Sequence, residues 1–214
     1  MSDSSGSTPR ECRMFPLGSV LVPHAPLPLH IFEPRYQQLL NESLEDDRTF
    51  GVVLITRGWE VGGGESRTNI GTLAHIDEYN RFDDGRAAVI STGRSRLEVV
   101  EWLPDDPFPR AMVIDRAEEL SQVDEQSAFT AATASLDALL RTARRLDRIE
   151  AIPELSWPDD LEQATWRLAG LAPIAVLDRQ RVLEADTVGA RLAILDATLR
   201  AMREDLELME QLDE

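Results

Sequence analysis

The apolar pattern of this chain changes its period once, near Ser121, and that change limits the fold more than any other feature. Before it, apolar residues come in short β-branched or aromatic pieces broken by Pro and Gly. After it, they recur every three or four residues. Strands in series followed by helices in series give an α+β fold, with the two kinds of element segregated along the chain. A length of 214 residues suits one large domain or two small ones, and is enough to bury a core without disulfides or metals.

Residues 1–11, rich in Ser, read as a disordered tail. Residues 12–120 then form the β-rich part and residues 121–214 the helical part. Apolar pieces at 14–17 and 19–22 read as strands, and three prolines in six residues make 23–28 an extended or turning loop. Pro34 suits the first position of a helix that carries Tyr36, Leu39, Leu40 and Leu44 and ends at Asp46-Asp47. Strands are expected at 50–56, 70–79, 86–91, 96–103 and 110–118, with a Gly-rich loop at 58–66 and a tight turn at Asp83-Asp84-Gly85. About six short strands with one early helix fit a small, partly closed barrel.

Past the change, Ser121 and Asp124 resemble a capping box ahead of a helix carrying Ala132, Leu136, Leu139, Leu140, Ala143 and Leu146. Further helices are expected at 160–171 and 178–184, and a last one capped by Asp186 or Thr187. Its residues Val188, Leu192, Leu195, Leu199, Met202, Leu206 and Met209 keep heptad spacing. Packing inside a local bundle and a seam for a partner or second copy both produce that stripe.

The net charge is −17, which repels phosphate backbones, so no nucleic-acid partner is expected. All 22 basic residues are Arg and none is Lys. Arginine stays protonated, so a Ser–Lys dyad is excluded, and so is a P-loop, whose Gly-rich turn needs a Lys. The lone Cys12 and the lack of a signal-peptide pattern in residues 1–10 point to a reducing cytoplasm. No apolar run approaches a membrane span.

His24, His30, His75 and Cys12 lack ligand spacing, so no metal is expected. His75 alternates with Ala74 and Ile76 and so points off a strand face. No Gly-x-Ser-x-Gly elbow is present, and Asp105-Asp106 and Asp159-Asp160 read as loop or cap residues; no catalytic residue is assigned. Gly62-Gly63-Gly64 reads as a hairpin tip, with Trp59 a peptide-contact candidate beside it. Arg141, Arg145 and Arg148 share a helix face, but Asp137, Asp147 and Glu150 nearby suggest intrahelical ion pairs rather than an RNA footprint. Phe32, Tyr36 and Leu39 are expected in the core, with Glu33 and Arg35 pairing to the barrel.

The string Phe15-Pro16-Leu17-Gly18-Ser19-Val20-Leu21-Val22-Pro23-His24 runs on into Leu27-Pro28-Leu29-His30-Ile31-Phe32-Glu33-Pro34-Arg35-Tyr36. Phe50-Gly51-Val52-Val53-Leu54, then Ile70-Gly71-Thr72-Leu73-Ala74-His75-Ile76, Trp166-Arg167-Leu168-Ala169 and Asp178 to Glu184 follow in order. This series resembles the N-terminal, substrate-binding domain of Lon proteases, and most of all stand-alone copies of it. The resemblance implies a PUA-like pseudo-barrel followed by a helical bundle, together one Lon N-terminal-type domain. In full-length Lon such a domain helps recognise unfolded or tagged substrates, and the ATPase and protease domains follow it. The expectation for this sequence, ending at Glu214, is a stand-alone, non-catalytic module without cofactor. Its expected partners are unfolded or partly extended polypeptides, a Lon-type protease and a second copy. The resemblance carries over no agreed contact residues; His24, Leu29, Phe32, Arg35 and Trp59 are the binding candidates. A PUA-like binder of RNA or a small ligand, and an enzyme with an unrecognised site, are the alternatives that the sequence leaves open.

Overall fold

In the computed structural model, residues 8–57 and 66–213 are described. The chain divides into two compact units, Met1–Ala117 and Glu118–Glu214. The first holds β1 (Arg10–Leu17), β2 (Pro26–Ile31), α1 (Pro34–Glu45), β3 (Thr49–Arg57), β4 (Ser66–Arg81), β5 (Ala87–Leu103) and β6 (Arg110–Asp115). The strands form one sheet in the order β2-β5-β4-β3-β1-β6, and β6 pairs with β5 as well. Five strands therefore make a closed circuit of pairings, with β2 attached outside it.

Two strands make the circuit possible by changing partners along their length. The 17 residues of β5 pair with β2 over Ala87–Thr92 and with β6 over Leu97–Leu103. In β1, Arg10 to Arg13 pair with β6, and Met14 to Leu17 pair in parallel with β3. Successive side chains of a strand point to opposite faces, and both faces of β1 are buried. Cys12 and Met14 pack with Val53, Leu97, Val99, Ala111 and Val113. Phe15 and Leu17 pack in a larger core with Ile31, Tyr36, Leu39, Leu40 and Phe50. That double burial explains the unbroken apolar run at the end of β1. Helix α1 begins at Pro34 and closes at Asp46, whose N–H donates to the Ser43 carbonyl.

Several expectations need correction. Arg10 and Glu11 belong to β1, opposite Val113 and Met112, so the tail expected over 1–11 is too long; residues 1–7 lie outside the described residues. No strand covers 19–22, while Pro26 and Pro28 of the expected loop sit in β2. Only alternate residues of an edge strand donate to its neighbour, so prolines two apart leave the ladder intact. The two strands expected at 86–91 and 96–103 are one. Across the gap between them, Leu73 faces Ser95 and Ala74 faces Gly93, a bulge that carries the strand through. A side chain at 93 would meet the Val22 carbonyl at 2.5 Å, which is why glycine stands there.

The second unit holds α2 (Glu125–Arg145), α3 (Leu161–Leu171), α4 (Val176–Glu184) and α5 (Val188–Asp213). The cap of α2 is Asp124 itself, accepting from the Ser127 N–H at 3.2 Å, rather than a box opened by Ser121. Asp160 caps α3, and the Thr187 hydroxyl accepts from the Ala190 N–H at 3.0 Å. Helix α5 touches each of the other three helices of this unit. In its heptad stripe Val188, Leu192, Leu195 and Leu199 are buried, Met202 and Leu206 half-buried, and Met209 exposed. No helix of the described residues is long and apolar enough to cross a membrane.

Candidate functional site

The free edges of the sheet meet a pocket. Among the described residues, β2 has a neighbouring strand on one side only, and β1 beyond Met14 is paired only to β3. Between them lies a cavity of about 140 Å³ lined by Phe15, Pro16 and Leu17 of β1, Leu29, His30 and Ile31 of β2, and Phe32, Glu33 and Tyr36 at the start of α1. Its floor is rigid. Phe15 stacks on Tyr36 with ring centroids 4.1 Å apart and planes 18° from parallel. Both rings, with Leu17 and Ile31, belong to the buried core.

The candidate residues divide around this cavity. Leu29 and Phe32 line it. Phe32 is not a core residue as expected: it is 61% exposed, because the chain leaves the sheet after Ile31 and turns into α1, so residue 32 stands at the lip. Arg35 and Glu33 pair with each other at 2.9 Å at the cavity's rim, and the Arg35 guanidinium lies 4.6 Å from the Tyr36 ring centroid. His24 is elsewhere, exposed in a turn at φ 62 where its N–H donates to the Gly93 carbonyl. Trp59 and Gly62 to Gly64 lie outside the described residues.

Other apolar side chains are exposed on the neighbouring strands. Ile31 and Arg81 both pair with Ala87, so Phe32 and Phe82 leave the sheet at the same end. The rings of Phe82 and His30 are 6.0 Å apart, and Ile90 lies between Pro28 and Glu78 in the register. Phe32, Phe82 and Ile90 are exposed; Tyr79 is exposed too, but it sits opposite Val89 and so on the other face of the sheet from Ile90. Phe82 was legible only as the residue before a tight turn, and Ile90 as one member of an alternating strand; neither position signals exposure by itself.

The polar cluster on the same sheet has a different character. His75 Nδ1 lies 3.2 Å from Asp77, the Thr92 hydroxyl donates to Asp77 at 2.6 Å, and Arg94 reaches Asp77 at 3.5 Å. The Thr92 hydroxyl, followed by His75 and Arg94, holds the Asp77 carboxyl below the usual range. A carboxylate so stabilised is a weak base, and the hydroxyl donates to it rather than to the imidazole, so this geometry does not activate Thr92 as a nucleophile. Among the described residues, no three His, Cys, Asp or Glu side chains are grouped to hold a metal ion. The arginines of α2 are paired: Arg141 with Asp137 at 2.7 Å, Arg144 with Asp147 at 3.4 Å, and Arg145 with Glu210 of α5 at 2.6 Å. Arg148 lies past the end of α2, beyond Asp147 at φ 53, and does not share their face.

Comparison with known proteins gives a consistent picture. The family described as the ATP-dependent protease La (LON) substrate-binding domain matches residues 11–199. Lon protease 2 of Herpetosiphon aurantiacus is 26% identical over 97% of this chain and 26% of its own length. The Lon protease of Anaeromyxobacter dehalogenans is 25% identical over 91% of this chain and 23% of its own length. The chain thus spans about a quarter of these relatives, by those 26% and 23% shares. Among solved structures, a Lon N-terminal domain protein from Xanthomonas campestris aligns with a TM-score of 0.63 and 25% identity, covering 88% of this chain and 98% of that one. The N-terminal domain of a Mycobacterium avium complex Lon protease aligns with a TM-score of 0.59 at 16% identity, covering 89% and 98%, a likeness of fold.

Proposed function

The chain belongs to the family of ATP-dependent protease La (Lon) substrate-binding domains, and from that premise we propose that it binds unfolded or partly extended polypeptides without catalysing a reaction on them. The observation that carries this reading is the apolar cavity with Phe32 exposed at its lip and Phe82 and Ile90 exposed on the strands beside it. Apolar residues gathered at one place on a surface mark interaction sites more than scattered ones do. The wider reading follows the family. The circuit of strands is a PUA-like pseudo-barrel over residues 12–120, and residues 121–214 are a helical bundle; together they make one Lon N-terminal-type domain. The protein works in the cytoplasm as an adaptor that brings clients to a Lon-type protease, and a second copy is a further partner. The paired arginines and a net charge of −17 favour polypeptide over nucleic acid.

The test uses fluorescein-labelled lysozyme in two forms, native and disulfide-intact, or reduced and carbamidomethylated so that it stays unfolded. Fluorescence anisotropy is expected to report saturable binding of the unfolded form at micromolar protein, with the native form unbound and no fragment appearing on a gel after prolonged incubation. Equal binding of both forms, or cleavage of the unfolded one, would overturn the proposal.

A further inference from the structure

We propose that the cavity between β1 and β2 is an anchor point that takes one phenylalanine- or leucine-sized side chain of an extended polypeptide segment, with basic residues beside that anchor. The inference rests on the polypeptide-binding reading and gives it a place and a sequence preference.

Size comes first. The cavity measures about 140 Å³ and its apolar lining is Phe15, Leu17, Leu29, Ile31, Phe32 and Tyr36. A cavity of about 150 Å³ lined by Leu, Ile and Phe holds a benzene molecule. The space therefore suits one ring or one isobutyl group. It is too small for a helix face, which would need several adjoining pockets.

The strand edges decide how the rest of the segment binds. Met14 donates its N–H to the Pro109 carbonyl at 2.8 Å, so position 14 faces away from β3. Position 16, two residues on, faces the same way and is a proline. On β2, the prolines at 26 and 28 occupy the positions that face away from β5, because a proline has no N–H to give the ladder. Both edges thus present carbonyls at 16, 26 and 28 without N–H groups, and His30 is the next outward position that carries one. An incoming strand can donate to these carbonyls but finds few donors for its own. A full ladder cannot form, which guards the edges against indiscriminate strand addition. Recognition falls to the side chain in the cavity, supplemented by a few backbone bonds.

Charge sets the flanks. Glu33 lines the cavity but is paired with Arg35 at 2.9 Å, so the preference for basic over acidic residues beside the anchor comes from the net charge of −17 that the protein carries overall. Phe32 stands 61% exposed at the lip, where it can close over an inserted side chain without any change in the core.

The experiment titrates fluorescein-labelled, reduced and carbamidomethylated lysozyme with the full chain and three variants. Leu29→Trp fills the cavity, Phe32→Ala removes the lip, and Leu177→Ala alters an exposed apolar residue of α4 as a control. The expected result is at least a tenfold weaker Kd for Leu29→Trp and Phe32→Ala, an unchanged Kd for Leu177→Ala, and weaker binding for the wild type as salt rises. If the wild type binds while both site variants stay within twofold of it, the anchor site is wrong although polypeptide binding stands. If the wild type binds nothing, the polypeptide reading falls and the site with it. Should Leu29→Trp fail to fold by thermal melting, Phe32→Ala decides, since its side chain lies outside the core.

Discussion

Cys12 shows how far a single residue's chemistry is set by its place in the sheet. Its thiol is pushed up from 9.0 to about 11, chiefly by burial, with Arg10 offsetting only part of the rise. The thiolate is the reactive form, so iodoacetamide at pH 8 is expected to leave Cys12 largely unmodified in the folded protein and to label it readily in urea. Rapid labelling of the native state would contradict its burial. The sign of the linkage also follows: the unfolded thiol ionises first, so this residue's contribution to stability is complete below pH 9 and is lost as pH rises toward 11. Gly71 illustrates a different constraint, since a Cβ there would sit 2.2 Å from the Val52 carbonyl. The strand expected at 70–79 includes this glycine, and close backbone approach is the physical reason that no side chain stands there. Around the cavity, Leu29 could be picked from sequence because it sits in a dense apolar motif. The exposure of Phe32 could not, because it depends on where β2 stops rather than on hydrophobicity.

At the scale of elements, the segment before α2 is fastened by a buried ion pair. Arg191 of α5 is fully buried, lies 4.0 Å from the centre of the Trp166 ring of α3, and pairs with Glu118. Nε and Nη1 of Arg191 have no hydrogen-bond partner among the described residues, so Glu118 is the main compensation for its charge. Removing one partner of such a pair strands the other. Glu118→Ala is expected to cost about 3 kcal/mol in urea unfolding. The double variant Glu118→Leu with Arg191→Met should recover most of that loss. A single-variant cost below about 1 kcal/mol would mean that solvent already screens the pair. The helices were legible from sequence because their starts carry Pro34, Asp160 and Thr187 and their apolar residues keep one period. The strands were less so. β5 reads as two pieces because a bulge looks like a turn, and β2 reads as a loop because prolines are tolerated on an edge in a way that composition does not reveal.

For the whole molecule, the α+β class could be read from the single change of period, and the family from the ordered motifs between Phe15 and Glu184. The cavity was not, because it is made by two strand edges that meet only after β5 and β1 have each exchanged one neighbour for another. The proposed binding surface lies on the first unit, at β1, β2 and the first turn of α1. Hydrogen–deuterium exchange with and without saturating unfolded lysozyme tests that most directly. The prediction is slowed exchange confined to peptides covering residues 14–18 and 26–37, with the peptides of α4 and α5 unchanged. Saturable binding with no protection in those two stretches, or with protection on the helices instead, would contradict it.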